Sequence, residues 1–198
     1  MKSLYNFIIK PNGERYNNKK KIGDKELILN AEIFTYQNVN REAIILEVPV
    51  INNTPLQKGD IIIVHHNVFR RWHNQHGIEK NSKSWLKKGT YAIYEDQIFA
   101  YKRNSWKSLK GYCFVKPIHS KNKFSNKKEQ PLVGIMKYTD KDLPNIKNGD
   151  LVGFTPYSEY EFIIDGERLY RVLTNQISIK YEYQGDEEEY NPSWAQSS

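Results

Sequence analysis

Between residues 58 and 77 the chain reads KGDIIIVHHNVFRRWHNQHG. Four histidines (His65, His66, His73, His76), two arginines (Arg70, Arg71) and two aromatics (Phe69, Trp72) fall within a dozen positions. Such residues could ligate a metal or hold a polyanion. Zinc sites use closely spaced His with Cys or carboxylate partners. His73 and His76 have a suitable spacing only if their loop is ordered. His65 and His66, adjacent on a strand, would point to opposite faces, so at most one could join a site. No metal is expected. For nucleic acid, Arg70, Arg71, Trp72, Lys87, Lys88, Lys102, Arg103 and Lys107 offer cations and an aromatic platform, as small barrels that bind single strands do. No RNP-like or other named motif accompanies them, so nucleic acid is not the expected partner.

Covalent chemistry has less support. The chain contains no GxGxxG, P-loop, GxSxG or HExxH. Cys113 lies inside the strand-like YCFV, where a buried, inert thiol is expected rather than a nucleophile. The acids at 186–189, DEEE, sit in a tail that fixes no geometry. The expectation is a protein without catalysis and without a cofactor.

Composition sets further bounds. The chain has 198 residues, one cysteine, and 14 tyrosines that suit pleated faces. A single Cys excludes an intrachain disulfide and fits a reducing compartment. The short apolar stretch near the start is too brief for a signal peptide, and no run approaches the length of a membrane span, so a cytoplasmic protein with no membrane partner is expected. The net charge is +7, and without the −4 of DEEE the remainder is +11, but many lysines are scattered through loops such as NNKKK and SNKKEQ.

The elements that must position these residues come in two sets. YNFIIKP (5–11) resembles YCFVKPI (112–118), and REAIILEVP (41–49) has a shorter echo in PLVGIMKY (131–138). LQKGDIIIV (56–64) matches IKNGDLVGF (146–154), and YAIYEDQIFAYK (91–102) matches YRVLTNQISIKYE (170–182). Four matches in one order imply a tandem duplication. From Lys10 to Gly59 there are 49 residues against 33 from Lys116 to Gly149; from those glycines to Ile98 and Ile177 there are 39 against 28. The first copy therefore carries two extra segments, the second of them 11 residues longer than its counterpart.

Both copies read as all-β: short apolar or alternating runs separated by Gly, Asn, Asp and Pro. Asp165-Gly166, flanked by alternating residues in EYEFIIDGERLYRV (159–172), predicts a two-residue type I′ hairpin turn. No stretch shows sustained helical periodicity. Two small, partly closed barrels are expected, at 1–103 and 112–183, joined by NSWKSLKG (104–111) and followed by an acidic tail at 184–198 that is either disordered or docked through Trp194.

The order of these motifs resembles the GroES-type co-chaperonins (chaperonin 10 family), across most of the chain. The resemblance implies tandem GroES-like barrels, a long mobile loop at 11–41 between the first two strands of copy one, and a hydrophobic tripeptide in that loop that docks on a GroEL-type chaperonin. Leu27-Ile28-Leu29 is the candidate tripeptide, an apolar triplet in an otherwise polar segment, with Gly23, Asp24 and Asn30 around it. The competing reading is that ELILNAEIFTY is one more strand. Copy two offers only Phe124 in HSKNKFSNKKEQP (119–131), so only the first barrel would engage the partner. The composition, fused second barrel and tail look like those of a large tailed bacteriophage protein. That implies a homo-oligomeric ring in the host cytoplasm that helps the host chaperonin fold a client such as the capsid protein. The alternatives are a non-catalytic virion protein on the same barrels and a nucleic-acid-binding barrel. Within the resemblance, Phe69, Arg70, Arg71 and Trp72 read as inter-subunit or loop contacts.

Overall fold

A computed structural model of the chain describes residues 2–16, 19–22, 25–28, 39–51, 53–120, 128–182 and 187–196. The chain divides into two compact units, residues 1–105 and 106–198. Both are all-β.

The first unit contains β1 (Phe7–Pro11), β2 (Lys19–Ile22), β3 (Lys25–Ile28), β4 (Glu42–Glu47), β5 (Ile61–Val64), β6 (Arg71–His73), β7 (Glu79–Asn81), β8 (Trp85–Lys87), β9 (Thr90–Ile93) and β10 (Ile98–Lys102). Its main sheet is antiparallel in the order β10-β5-β4-β1-β9-β8, with β2–β3 and β6–β7 as separate two-stranded pairs. The second unit contains β11 (Trp106–Ser108), β12 (Tyr112–His119), β13 (Glu129–Tyr138), β14 (Leu151–Phe154), β15 (Tyr160–Ile164), β16 (Glu167–Leu173), β17 (Ile177–Tyr181) and the single-turn helix α1 (Ser193–Gln196). Its sheet runs β17-β14-β13-β12-β16-β15. The two orders are the same order, strand for strand.

The repeated motifs fall on equivalent strands in equivalent register. Lys10-Pro11 face Ile44 and Ala43 across β1–β4, and Lys116-Pro117 face Ile135 and Gly134 across β12–β13. Ile9 pairs with Tyr91, and Val115 with Tyr170. In each unit a 3₁₀ turn, Glu95–Gln97 or Thr174–Gln176, bends the chain into the last strand. The Asp165-Gly166 hairpin forms as its sequence predicts: Ile164 pairs with Glu167, and φ is +49° and +74° at the two turn residues.

Each core is made by the strand runs themselves. Phe7, Ile9, Ile45, Ile62, Val64, Ile93 and Ile98 are inaccessible or nearly so in the first unit. In the second, Cys113, Val115, Met136, Val152, Phe154 and Val172 form one cluster, and Phe114, on the other side of β12, meets Phe162 edge-on at 6.0 Å. Covering both faces of a strand is why Cys113-Phe114-Val115 reads as a continuous apolar run rather than an alternation. The described part of the tail, 187–196, is docked: Ala195 is fully buried, Glu188 C=O accepts the His119 N–H, and Tyr190 N–H donates to Pro117 C=O. Ala195 is the anchor; Trp194 stays half exposed, with the Arg168 guanidinium 6.0 Å from its ring centre.

Candidate functional site

The motifs shared by the two units are structural hardware. In the Gly-Asp pairs, Gly59 and Gly149 adopt φ of +92° and +94°, a left-handed backbone that favours glycine. Asp60 accepts the Gln57 N–H at 2.8 Å and Asp150 accepts the Lys147 N–H at 2.8 Å, closing the same turn twice. Each aspartate also holds a cation from the end of the last strand: Arg103 reaches Asp60 through Nε at 2.9 Å and Nη2 at 2.8 Å, and Lys180 reaches Asp150 at 2.6 Å. The hydrogen bond from Lys180 holds the Asp150 carboxyl below the usual carboxylate range. Gln97 and Gln176 accept the N–H of Tyr94 and Leu173 and so cap the 3₁₀ turns. What duplication preserves here is the fold, and specialised function is to be sought where the units differ.

They differ in two segments of the first unit. Between β1 and β4 lies the antiparallel pair β2–β3, in which Leu27 faces Lys20 and Ile28 faces Lys19. Two members of the candidate tripeptide thus lie on a strand; Leu29 and Asn30, like Gly23 and Asp24, lie outside the described residues. The chain on either side of this pair is built firmly. The Asn40 side chain donates to the carbonyls of Asn12 and Glu14 at 2.9 and 2.7 Å, Asn12 donates to the Glu42 carboxylate at 2.9 Å, and Tyr16 bridges Val39.

The second difference is the β6–β7 hairpin, and it is bolted to the first. Arg15 donates to the carbonyls of Phe69 at 2.5 Å and Arg70 at 3.0 Å. The Tyr16 hydroxyl accepts the Arg71 N–H at 2.8 Å, and the Arg71 guanidinium lies 5.2 Å from the Tyr16 ring centre. Glu79 completes the joint, 3.1 Å from Arg71 and 3.8 Å from Arg15. The two insertions are therefore mechanically one site, although 54 residues separate Arg15 from Phe69.

The residues first singled out separate cleanly. Phe69 is fully buried against Tyr91, edge-on at 4.8 Å, so it anchors the hairpin within its own unit rather than offering a surface. Arg71 is spent on Glu79, and Arg103 on Asp60. Arg70, Lys87 and Lys88 are exposed, Trp72 is 48% exposed, Lys102 is half-buried, and Lys107 is exposed in the second unit. His65 and His66 do not face opposite ways as expected for a strand: β5 ends at Val64, and the two rings stack with centres 4.3 Å apart. Burial, the neighbouring His65 and the charges of Arg41 and Arg70 push His66 down to about 4, so it is neutral near pH 7. Among the described residues no three His, Cys, Asp or Glu side chains gather as a metal site.

In the second unit Cys113 is inaccessible, and burial pushes its thiol above the usual range. Arg168 bridges Glu161 at 2.8 Å and Glu129, and donates to Tyr170 Oη at 2.6 Å, tying β13, β15 and β16 together. Lys116 pairs with Glu167 at 2.9 Å and Glu189 at 2.7 Å, which clamps the tail. No helix among the described residues is long and apolar enough to cross a membrane. Compared with known proteins, the chain matches no family model and no curated protein sequence.

Proposed function

We propose that this chain is a GroES-type co-chaperonin of tandem-barrel form that caps a GroEL-type chaperonin ring and assists folding in the cytoplasm of a bacteriophage host. The observation that carries the reading is the insertion of β2–β3, bearing Leu27 and Ile28, between the first two strands of the main sheet in the first unit. At the same place in the second unit the chain between β12 and β13 is only residues 120–128.

The work done is binding, not bond making. Leu27-Ile28-Leu29 supplies an apolar contact, and ordering a segment around it costs roughly 2–5 kcal/mol of the gross interaction energy, so each contact is weak. Several copies in a homo-oligomeric ring raise avidity by about 10²–10⁴, which permits firm capping and prompt release. The joint of Arg15, Tyr16 and Asn40 gives the insertion a fixed mounting from which to reach its partner.

The test is nucleotide-dependent co-elution with a GroEL-type chaperonin. The complex is expected with the native chain and lost with Leu27→Asp or Ile28→Asp. Survival with both variants refutes the site, and absence of any complex with the native chain favours the virion-protein alternative.

A further inference from the structure

We infer that the outer face of the β6–β7 hairpin and the adjoining β8 strand form a binding surface for single-stranded nucleic acid. This stands apart from the co-chaperonin reading, since it uses different residues and a different partner. The register of β6–β7 sorts its side chains: Arg71 faces Asn81 and His73 faces Glu79 on one side, and Trp72 faces Lys80 on the other. Glu79 is the single acid in residues 70–89; it is exposed, but it lies on the Arg71 side of the hairpin and is paired with Arg71 and Arg15. What remains outward is cationic and aromatic. Trp72 is 48% exposed, Ile78 56%, Trp85 40% and Leu86 45%, while Arg70, Lys80, Lys83, Lys87 and Lys88 are all exposed.

The duplication supplies an internal comparison. Residues 70–89 carry six Lys or Arg and one Glu, a net +5 with His neutral. The stretch between the same two strands of the second unit, 155–166, lacks the β6–β7 hairpin and carries Glu159, Glu161 and Asp165 and no Lys or Arg, a net −3. The same sheet therefore folds with either sign of charge at this corner, so the fold does not demand the basic version. Nor does the fold demand half-exposed tryptophans on a charged surface; aromatic faces among cations are what stacks bases while the backbone phosphates are neutralised. Double-stranded nucleic acid, with its bases stacked inside, would use the cations and leave the tryptophans idle. A single strand uses both.

The experiment is a fluorescence titration of the full chain with a labelled oligothymidylate at several salt concentrations. Saturable binding is expected, with quenching of tryptophan emission. With five cations engaged, the slope of log K against log salt should approach about −3.5, from roughly 0.7 per neutralised phosphate. Trp72→Ala should weaken binding about 5- to 100-fold, as expected for one lost base stack, and Lys80→Glu should also weaken it and flatten the salt slope. Lys141→Glu, an equal charge change at an exposed position of the second unit, should have little effect. Inorganic polyphosphate, which has no bases, should compete poorly. Absence of binding, equal competition by polyphosphate, or unchanged affinity in Trp72→Ala overturns the inference. Leu27→Asp should leave the titration unchanged and Trp72→Ala should leave chaperonin co-elution unchanged, so the two proposals fail separately.

Discussion

Replacing Tyr16 with Phe should loosen the second hairpin while leaving the main sheet of the first unit intact. Tyr16 is 5% exposed, and its hydroxyl accepts the Arg71 N–H at 2.8 Å while lying 3.4 Å from the Arg71 carbonyl. Phe keeps the ring, and with it the guanidinium contact at 5.2 Å, so only the hydroxyl is removed. An orphaned buried donor costs about 1–3 kcal/mol. Arg71 is half-buried rather than buried, so water recovers part of that loss and about 1–2 kcal/mol remains. A loss of that size is a factor of about 5–30 in a local opening equilibrium. Hydrogen exchange read by mass spectrometry should show amides of residues 69–81 exchanging faster by that factor. Peptides covering β12 and β16 of the second unit should be unchanged. Unaltered protection at 69–81, or an equal loss in both units, would refute the idea that this hydroxyl bolts the two insertions together.

The remaining expectations concern pH, close packing and the tail. His66 binds its proton in the folded chain only near pH 4 but at about 6.5 when unfolded. The unfolded state is therefore protonated first as pH falls, and stability of the first unit is lost from about pH 6.5 down to 4. At about 1.4 kcal/mol per unit, discounted for partial exposure, the loss is about 1–2 kcal/mol; urea midpoints should fall over that window, and His66→Gln should remove this part of the drop. Gly134→Ala would set a Cβ 2.3 Å from the Lys116 carbonyl oxygen and 2.6 Å from Val115 Cγ1. Forcing β12 and β13 apart should cost about 1–3 kcal/mol in urea unfolding of the second unit. Removing residues 187–198 discards buried Ala195 and two backbone hydrogen bonds to β12, of 2.9 and 2.8 Å, and should destabilise the second unit by about 1–3 kcal/mol in the same assay.

The duplication was legible because its signature residues answer local demands. Gly59 and Gly149 sit where the backbone is left-handed, Asp60 and Asp150 close the turn around them, and Gln97 and Gln176 cap a 3₁₀ turn; each requirement is met within a few residues of chain. The same holds for Asp165-Gly166, whose turn needs only those two residues in positive φ. The stacked histidines were not legible in that way. Alternation places His65 and His66 on opposite faces only while the strand continues, and β5 stops at Val64, where the His65 N–H turns to the Gln97 carbonyl at 3.0 Å.

Sequence by itself determined the all-β class, the twofold repetition of one set of strand motifs, the position of the two insertions and the burial of Cys113. Short-range periodicity and turn chemistry carry the class and the burial, and motifs recurring in one order at unequal spacings carry the repetition and the insertions. Only the tertiary structure decided which of the chemically suggestive residues are surface and which are scaffold. Phe69 went into the core, Arg71 and Arg103 went to Glu79 and Asp60, and Trp72 stayed outside with Lys80. Those assignments rest on partners up to 55 residues away in sequence, such as Tyr16 for Arg71, and no local pattern encodes which distant group will be waiting when the strands close.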